Sequence, residues 1–118
     1  MTTRHVSLAS AAADRLERAR VSIEGRSSIS LHDGEPCVLR QTVVGILAGQ
    51  RMEIEHPPDE GWVLVVVGCI SLEVDSVESQ THPALPGDLI QLPREPVALV
   101  ADEDSVLLLT VAKGDRPR

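Results

Sequence analysis

Aromatic side chains are almost missing from this sequence, which has one tryptophan and no phenylalanine or tyrosine in 118 residues. A module for single-stranded nucleic acid stacks bases on aromatic rings along a basic groove. Neither ingredient is present: 11 Lys and Arg stand against 18 Asp and Glu, a formal net charge of −7. The same balance argues against an anionic membrane surface, where clustered basic side chains supply the attraction. No stretch approaches the roughly 18 consecutive apolar residues of a membrane-spanning helix. Cysteine is scarce, and Cys37 and Cys69 lack C-x-x-C spacing, so no thiol-based zinc or redox motif is written. Met1 to His5 lead into an Ala-rich segment broken by Asp14, Arg15, Glu17 and Arg18, too charged for the apolar region of a signal peptide. The expectation is a cytoplasmic protein whose two cysteines are reduced, small apolar fillers.

What is present is globular in composition, with 42% hydrophobic and 25% charged residues. With so few rings, the core must be built from Val, Leu, Ile and Ala. One segment, 10–20, reads as helix: Leu8, Ala12, Leu16 and Ala19 recur at helical spacing, Ser10 can cap, and Asp14, Arg15, Glu17 and Arg18 take the other faces. So short a helix is marginal alone and is expected to pack on the outside of something else.

From Val21 onward the pattern is short β-rich runs between turns. Residues 28–32 alternate, and Asp33-Gly34 supplies a turn before the next run begins at Cys37. The run 38–47 ends at Ala48-Gly49, and 51–55 alternates again before the loop 56–61 with its two prolines. Residues 62–67 are apolar at every position, predicting a strand buried on both faces or facing another subunit. Gly68 breaks that run, after which Ile70, Leu72 and Val74 alternate with Ser71, Glu73 and Asp75. A turn at 83–88 and strands at 89–92, 97–100 and 106–112 complete the series. This rhythm predicts an all-β fold, a sandwich or barrel of 21–113, with an N-terminal arm and one short N-terminal helix in 1–20 and a polar tail at 114–118.

The segment from Gly49 to Leu92 carries a resemblance. A glycine ending a strand, an acidic loop with a histidine, an apolar strand ending in Gly68, and then Pro86-Gly87-Asp88-Leu89-Ile90-Gln91-Leu92-Pro93 resemble the cupins. The resemblance covers about 38–112 and implies a double-stranded β-helix, or jelly-roll, barrel. Its first family motif, G-x5-H-x-H-x(3,4)-E-x6-G, laid without gaps from Gly49 to Gly68, puts the metal-ligating positions on Glu55, Pro57 and Gly61. The second, G-x5-P-x-G-x2-H-x3-N, starts correctly at Gly87 and Pro93, and then places the ligating histidine on Ala98 and the closing Asn on Asp102. One carboxylate is not a transition-metal site, which wants three or four N or O donors around an open position. What the resemblance implies is therefore a barrel with degenerate metal motifs, no metal and no cofactor.

A register shifted by one competes with that layout. Met52 and Ile54 are the apolar members of their strand, so period two sends Met52, Ile54 and His56 inward and leaves Arg51, Glu53 and Glu55 outside. A β-bulge near Glu55 would produce it and bring Glu60 to the family's glutamate position. The shifted register is preferred, because burying Glu53 and Glu55 together is costly unless both are paired. Whether Glu55 or His56 faces the interior stays open at this level.

The expected pocket lining is Arg40, Thr42, Met52, Ile54, His56, Glu60, Trp62 and Ala98, with Arg40 or Thr42 suited to an anionic ligand and Trp62 to stacking. His5, His32 and His82 read as loop residues. Two functions compete. One is a metal-free, non-enzymatic cupin-domain protein, a homodimer acting as a small-ligand-binding or interaction module. The other is a metal-independent isomerase, lyase or cyclase working by acid-base chemistry with His56, Glu60 and Glu55. The segments 39–42 and 103–113 also resemble short stand-alone cupins labelled LuxR-type regulators. Direct DNA binding is not expected, since one weak helix makes no helix-turn-helix and the charge has the wrong sign.

Overall fold

The computed structural model describes residues 5–31, 38–74, 77–78 and 83–112. Asp33-Gly34, Cys37, His32, His82, Asp75 and the tail at 114–118 lie outside the described residues. Helix α1 spans Leu8–Arg20 and is capped by Ser7, whose hydroxyl accepts from the Ser10 N–H at 3.2 Å. The cap is thus three residues earlier than Ser10, because Leu8 belongs to the same apolar stripe as Ala12 and Leu16 and must be helical to join it. Arg18 and Arg20 sit in the last turn, where cations favour the helix dipole.

Nine strands follow among the described residues: β1 (Arg26–Ser30), β2 (Leu39–Ile46), β3 (Arg51–Ile54), β4 (Glu60–Val67), β5 (Ile70–Val74), β6 (Val77–Glu78), β7 (Leu89–Gln91), β8 (Val97–Ala101) and β9 (Ser105–Ala112). They form two antiparallel sheets, ordered β1-β2-β9-β4-β7 and β3-β8-β5-β6. In the larger sheet the row Val44, Leu107 and Val65 and the row Thr42, Leu109, Val63 and Ile90 face inward. In the smaller sheet Met52, Leu99 and Leu72 form one inward row, and Ile54, Val97 and Val74 the next. Apart from Val44 and Thr42, the facing rows pack into one cluster with Ile70, Ala84 and Leu92, and every member of the cluster is Val, Leu, Ile, Ala or Met. A core without rings is filled by branched side chains from both sheets at close-packed density.

Helix α1 lies on the outer face of the larger sheet, where Ala12 packs on Val43 and Val106. Glycine inside an apolar strand marks a close backbone approach, and Gly45 does so here. A Cβ at Gly45 would sit 2.7 Å from the Arg15 carbonyl carbon and oxygen. With the helix so near, Arg15 is buried rather than on an open face as the helical wheel predicts. Its guanidinium runs across β1, donating to Ser27 Oγ at 2.8 Å and Ser28 O at 3.3 Å, while Asp14 takes the other end at 2.7 Å.

The apolar run in β4 is not buried on both faces. Val63 and Val65 are inside, whereas Trp62, on the outer face, keeps 43% of its surface exposed. A register irregularity between Val65 and Val67 lets Val66 pack with the cluster beneath α1.

The Pro86-Gly87-Asp88 element is a tight turn from Leu85 to Asp88, with Gly87 at φ +94°. Asp88 N donates to Leu85 O and Asp88 Oδ2 accepts from Leu85 N, both at 2.9 Å, and Gly87 N reaches Val65 O at 2.8 Å. Proline and then a positive-φ glycine are what a type II turn requires, and the turn delivers β7 alongside β4.

Candidate functional site

The mouth of the barrel is the end where β3 finishes, β4 begins and β8 begins. Ile54 and Val97 face each other there across neighbouring strands, and Gly61 opposes Val111 on the other sheet. Strand β3 alternates as the shifted register predicts, with Met52 and Ile54 turned in and Arg51 and Glu53 turned out. It ends at Ile54, however, and the chain bends through Glu55 and His56, both exposed. The alternation that would send His56 inward has stopped two residues too early, so the inward His56 of the sequence reading is corrected. Glu60 is also exposed, on the outer row with Ala112, and the inward position beside it belongs to Gly61.

Four further expected lining residues are placed as follows. Arg40 is exposed opposite Val111 at the mouth, and Thr42 is half-buried opposite Leu109. Trp62 leaves the interior for the outer face, opposite Thr110 and Gln91. Ala98 also faces outward, opposite Glu53 on one side and Glu73 on the other. The inward neighbours of Ala98 on β8 are Val97 and Leu99, so moving the second motif by one residue exchanges one apolar side chain for another. Met52 and Ile54 alone of the expected lining residues pack against the main core cluster.

A cupin metal ion needs donors on these inward positions, and the mouth does not fit one. At Gly61, where the ungapped layout asks for the glutamate, a Cβ would meet Pro58 Cγ at 2.9 Å, Leu92 Cδ1 at 3.0 Å and Val111 Cγ1 at 3.4 Å. The space a carboxylate would enter is already filled by hydrocarbon. Among the described residues, no group of three or more His, Cys, Asp or Glu side chains comes together to hold a metal ion.

Polar side chains gather instead at the closed end, in the turns joining β4 to β5 and β8 to β9. Ser105, fully buried, accepts from the Cys69 N–H at 3.0 Å, and its hydroxyl lies 2.7 Å from Glu103 O and 3.2 Å from Cys69 O. Asp102 Oδ2 accepts from Ser71 Oγ at 2.7 Å, and the Cys69 thiol lies 3.7 Å from the same oxygen. Burial first, and then the nearby Asp102 and Glu103 carboxylates, push the Cys69 thiol above its ordinary range. Such a thiol stays protonated and unreactive near neutral pH. Gly68, at φ +93°, leaves no room for a Cβ, which would approach Asp104 O to 2.5 Å.

Two hollows open elsewhere. Outside the smaller sheet, a shallow one of about 170 Å³ is bordered by Glu53, Glu55, Glu73 and Ala98, with Arg51 bridging Glu53 and Glu73 at 3.2 Å each. The other, about 310 Å³, lies where β1 and β3, each an edge strand of its sheet among the described residues, face each other. The lining residues of this second hollow escaped sequence reading except for Met52, because it depends on which strands are left at the edges.

The architecture decides the resemblance. The fold is that of the cupins. A cupin superfamily protein from Desulfitobacterium hafniense matches with TM-score 0.63 at 14% identity, over 75% of this chain and 78% of that one. An RmlC-like cupin from Desulfovibrio desulfuricans matches with TM-score 0.61 at 22% identity, over 74% and 81%. A protein of unknown function from Rhizobium leguminosarum bv. viciae covers more, 97% of this chain and 100% of its own, with TM-score 0.66 at 18% identity. No family model matches the sequence, and no curated protein matches it. Cupin folds serve enzymes and non-enzymes alike, so function has to be argued from the site.

Proposed function

We propose that this chain is a metal-free, non-enzymatic cupin-domain module, a cytoplasmic homodimer that works by binding a small molecule. The observation carrying this reading is the mouth, where Ile54, Val97, Leu99, Gly61 and Val63 occupy inward positions, and where the half-buried Thr42 and the exposed Arg40 on the same rows add no histidine or carboxylate that could hold a metal or act as a base. An acid-base enzyme needs at least two polar groups converging on one reacting atom. His56 and Glu60 are both exposed and outside the packed interior.

The partner is a second copy, seated on the part of the larger sheet that α1 leaves bare. Its outer rows are Leu39 and Ala112, then Gln41, Thr110, Trp62 and Gln91, then Leu64 and Leu89, with Glu60 at the margin as the one charge. Leu89 is 62% exposed and Trp62 43%. Interface cores are poor in charge and rich in aromatic anchors. Strands about 4.8 Å apart make this patch roughly 20 Å square, so two copies face to face bury on the order of 1,000 Å², near the lower limit for a specific interface.

One experiment tests the binding reading: a thermal-shift panel of small acids, sugars, amino acids and apolar compounds, run with and without EDTA. A compound that raises the melting temperature equally in both supports it, because a ligand of the native state stabilises by mass action. Stabilisation that disappears with EDTA contradicts it. For the partner, sedimentation should find a dimer that Trp62→Glu converts to a folded monomer with a lower melting temperature, since the partner's mass-action contribution is lost; a wild-type monomer rejects the interface.

A further inference from the structure

The cleft between β1 and β3 has no counterpart in the mouth, and its chemistry is specific. Its floor is Val44, 2% exposed, and Met52. Its walls carry Arg26 on β1, Glu24 just before it, Ser28 on β1 and Glu53 on β3. Arg26 spans the gap between the two sheets, its Nη1 donating to Arg51 O at 3.1 Å. Its Nη2 lies 3.5 Å from Glu24 Oε1, a long contact to a carboxylate that is itself mostly in solvent. A guanidinium carries five N–H donors, so Arg26 has donors left for a ligand. Glu53 meets Arg51 through one oxygen at 3.2 Å.

We infer that this cleft is a binding site for a small zwitterion with an apolar body, of the class of free aliphatic amino acids. The inference rests on the reading above that the chain binds a small molecule. A simple anion entering the cleft meets the Glu24 carboxylate, and a simple cation meets Arg26; either leaves one sign unanswered. A molecule with both groups sets its carboxylate on the free donors of Arg26 and its ammonium toward Glu24, with Ser28 beside them. Charge-assisted hydrogen bonds of this kind are the strong ones. The hydrocarbon then lies on Val44 and Met52. The volume, about 310 Å³, falls at the small end of ligand pockets.

The test is calorimetric titration of the full chain with L-leucine and with its two halves, 4-methylpentanoate without the amine and 3-methylbutylamine without the carboxyl. Saturable binding of leucine is expected, with each half at least about tenfold weaker, as loss of one charge-assisted contact implies. Arg26→Gln and Glu24→Gln, neither on a buried side chain, should each weaken leucine by a similar factor at unchanged melting temperature. Equal affinity for either half overturns the zwitterion assignment, as does leucine binding that ignores both substitutions. If leucine does not bind but another compound of the panel does, this assignment fails and the binding reading stands; if nothing binds, both fail.

Discussion

The two ends of the barrel are built on opposite rules. At the mouth, the inward rows are mostly hydrocarbon, with Thr42 and Arg40 as their polar side chains, and even the backbone of Gly61 is closed over by Pro58, Leu92 and Val111. At the closed end, Ser71, Asp102 and Ser105 form a hydrogen-bonded set around Cys69. Buried polar groups persist where they satisfy one another and the backbone, and each is costly where they do not. In this chain they persist at the turns, which need them to fold, and are missing from the end where a metal-binding cupin would do chemistry. The scaffold is thus held by its turns, while most of the mouth is packed as ordinary core.

The largest effect should come from breaking the hydrocarbon side of this contrast. Leu99 is fully buried between both sheets. Leu99→Ala should cost about 3 kcal/mol in urea unfolding, the usual penalty for a cavity in a close-packed core. A cost below about 1 kcal/mol would mean that the interior is loosely filled and open to ligand.

Next is the polar end. Ser105→Ala removes the acceptor of the buried Cys69 N–H and should cost about 2 kcal/mol, because an orphaned buried donor forfeits its solvation. A smaller effect follows at the mouth from Gly61→Ala, whose new methyl must displace Pro58 and Leu92. About 1 kcal/mol of overpacking is expected by the same measurement. A stabilising Gly61→Ala would show that room for a side chain exists there after all.

The smallest effect is a pH dependence. The folded state holds the Cys69 thiol above its ordinary range, so it favours the protonated form. Its contribution is intact below the ordinary thiol value near pH 8.5 and is lost as pH rises toward the folded value. The chain has no tyrosine, and Lys113 is its sole lysine, so few other groups titrate in that window. In a Cys37→Ser background, stability should fall between pH 8 and 10, and Cys69→Ala should abolish the fall. Equal slopes in the two proteins would remove the assigned cause.

Much of this was legible in the sequence. The strand rhythm and the Pro86-Gly87-Asp88 turn carried the cupin resemblance, since both follow from local rules of side-chain alternation and positive φ. The inward direction of Met52 and Ile54 followed from the same alternation. His56 was misplaced because alternation cannot say where a strand stops, and the bend after Ile54 ends it. Ala98 was misplaced because motif spacing does not say which face of β8 a residue takes, and its place opposite Glu53 turns it outward. Arg15 was hidden because burial of a charge depends on a glycine 30 residues away that lets the helix settle onto the sheet. The cleft between β1 and β3 follows from strand order, which no local pattern encodes.

Among the described residues, the mouth brings together no group of side chains that could hold a metal ion. Elemental analysis of the protein, expressed in medium supplemented with iron, manganese, nickel and zinc and dialysed without chelator, tests it most directly. Substoichiometric metal is expected for every element. One tightly retained transition-metal ion per chain would contradict it.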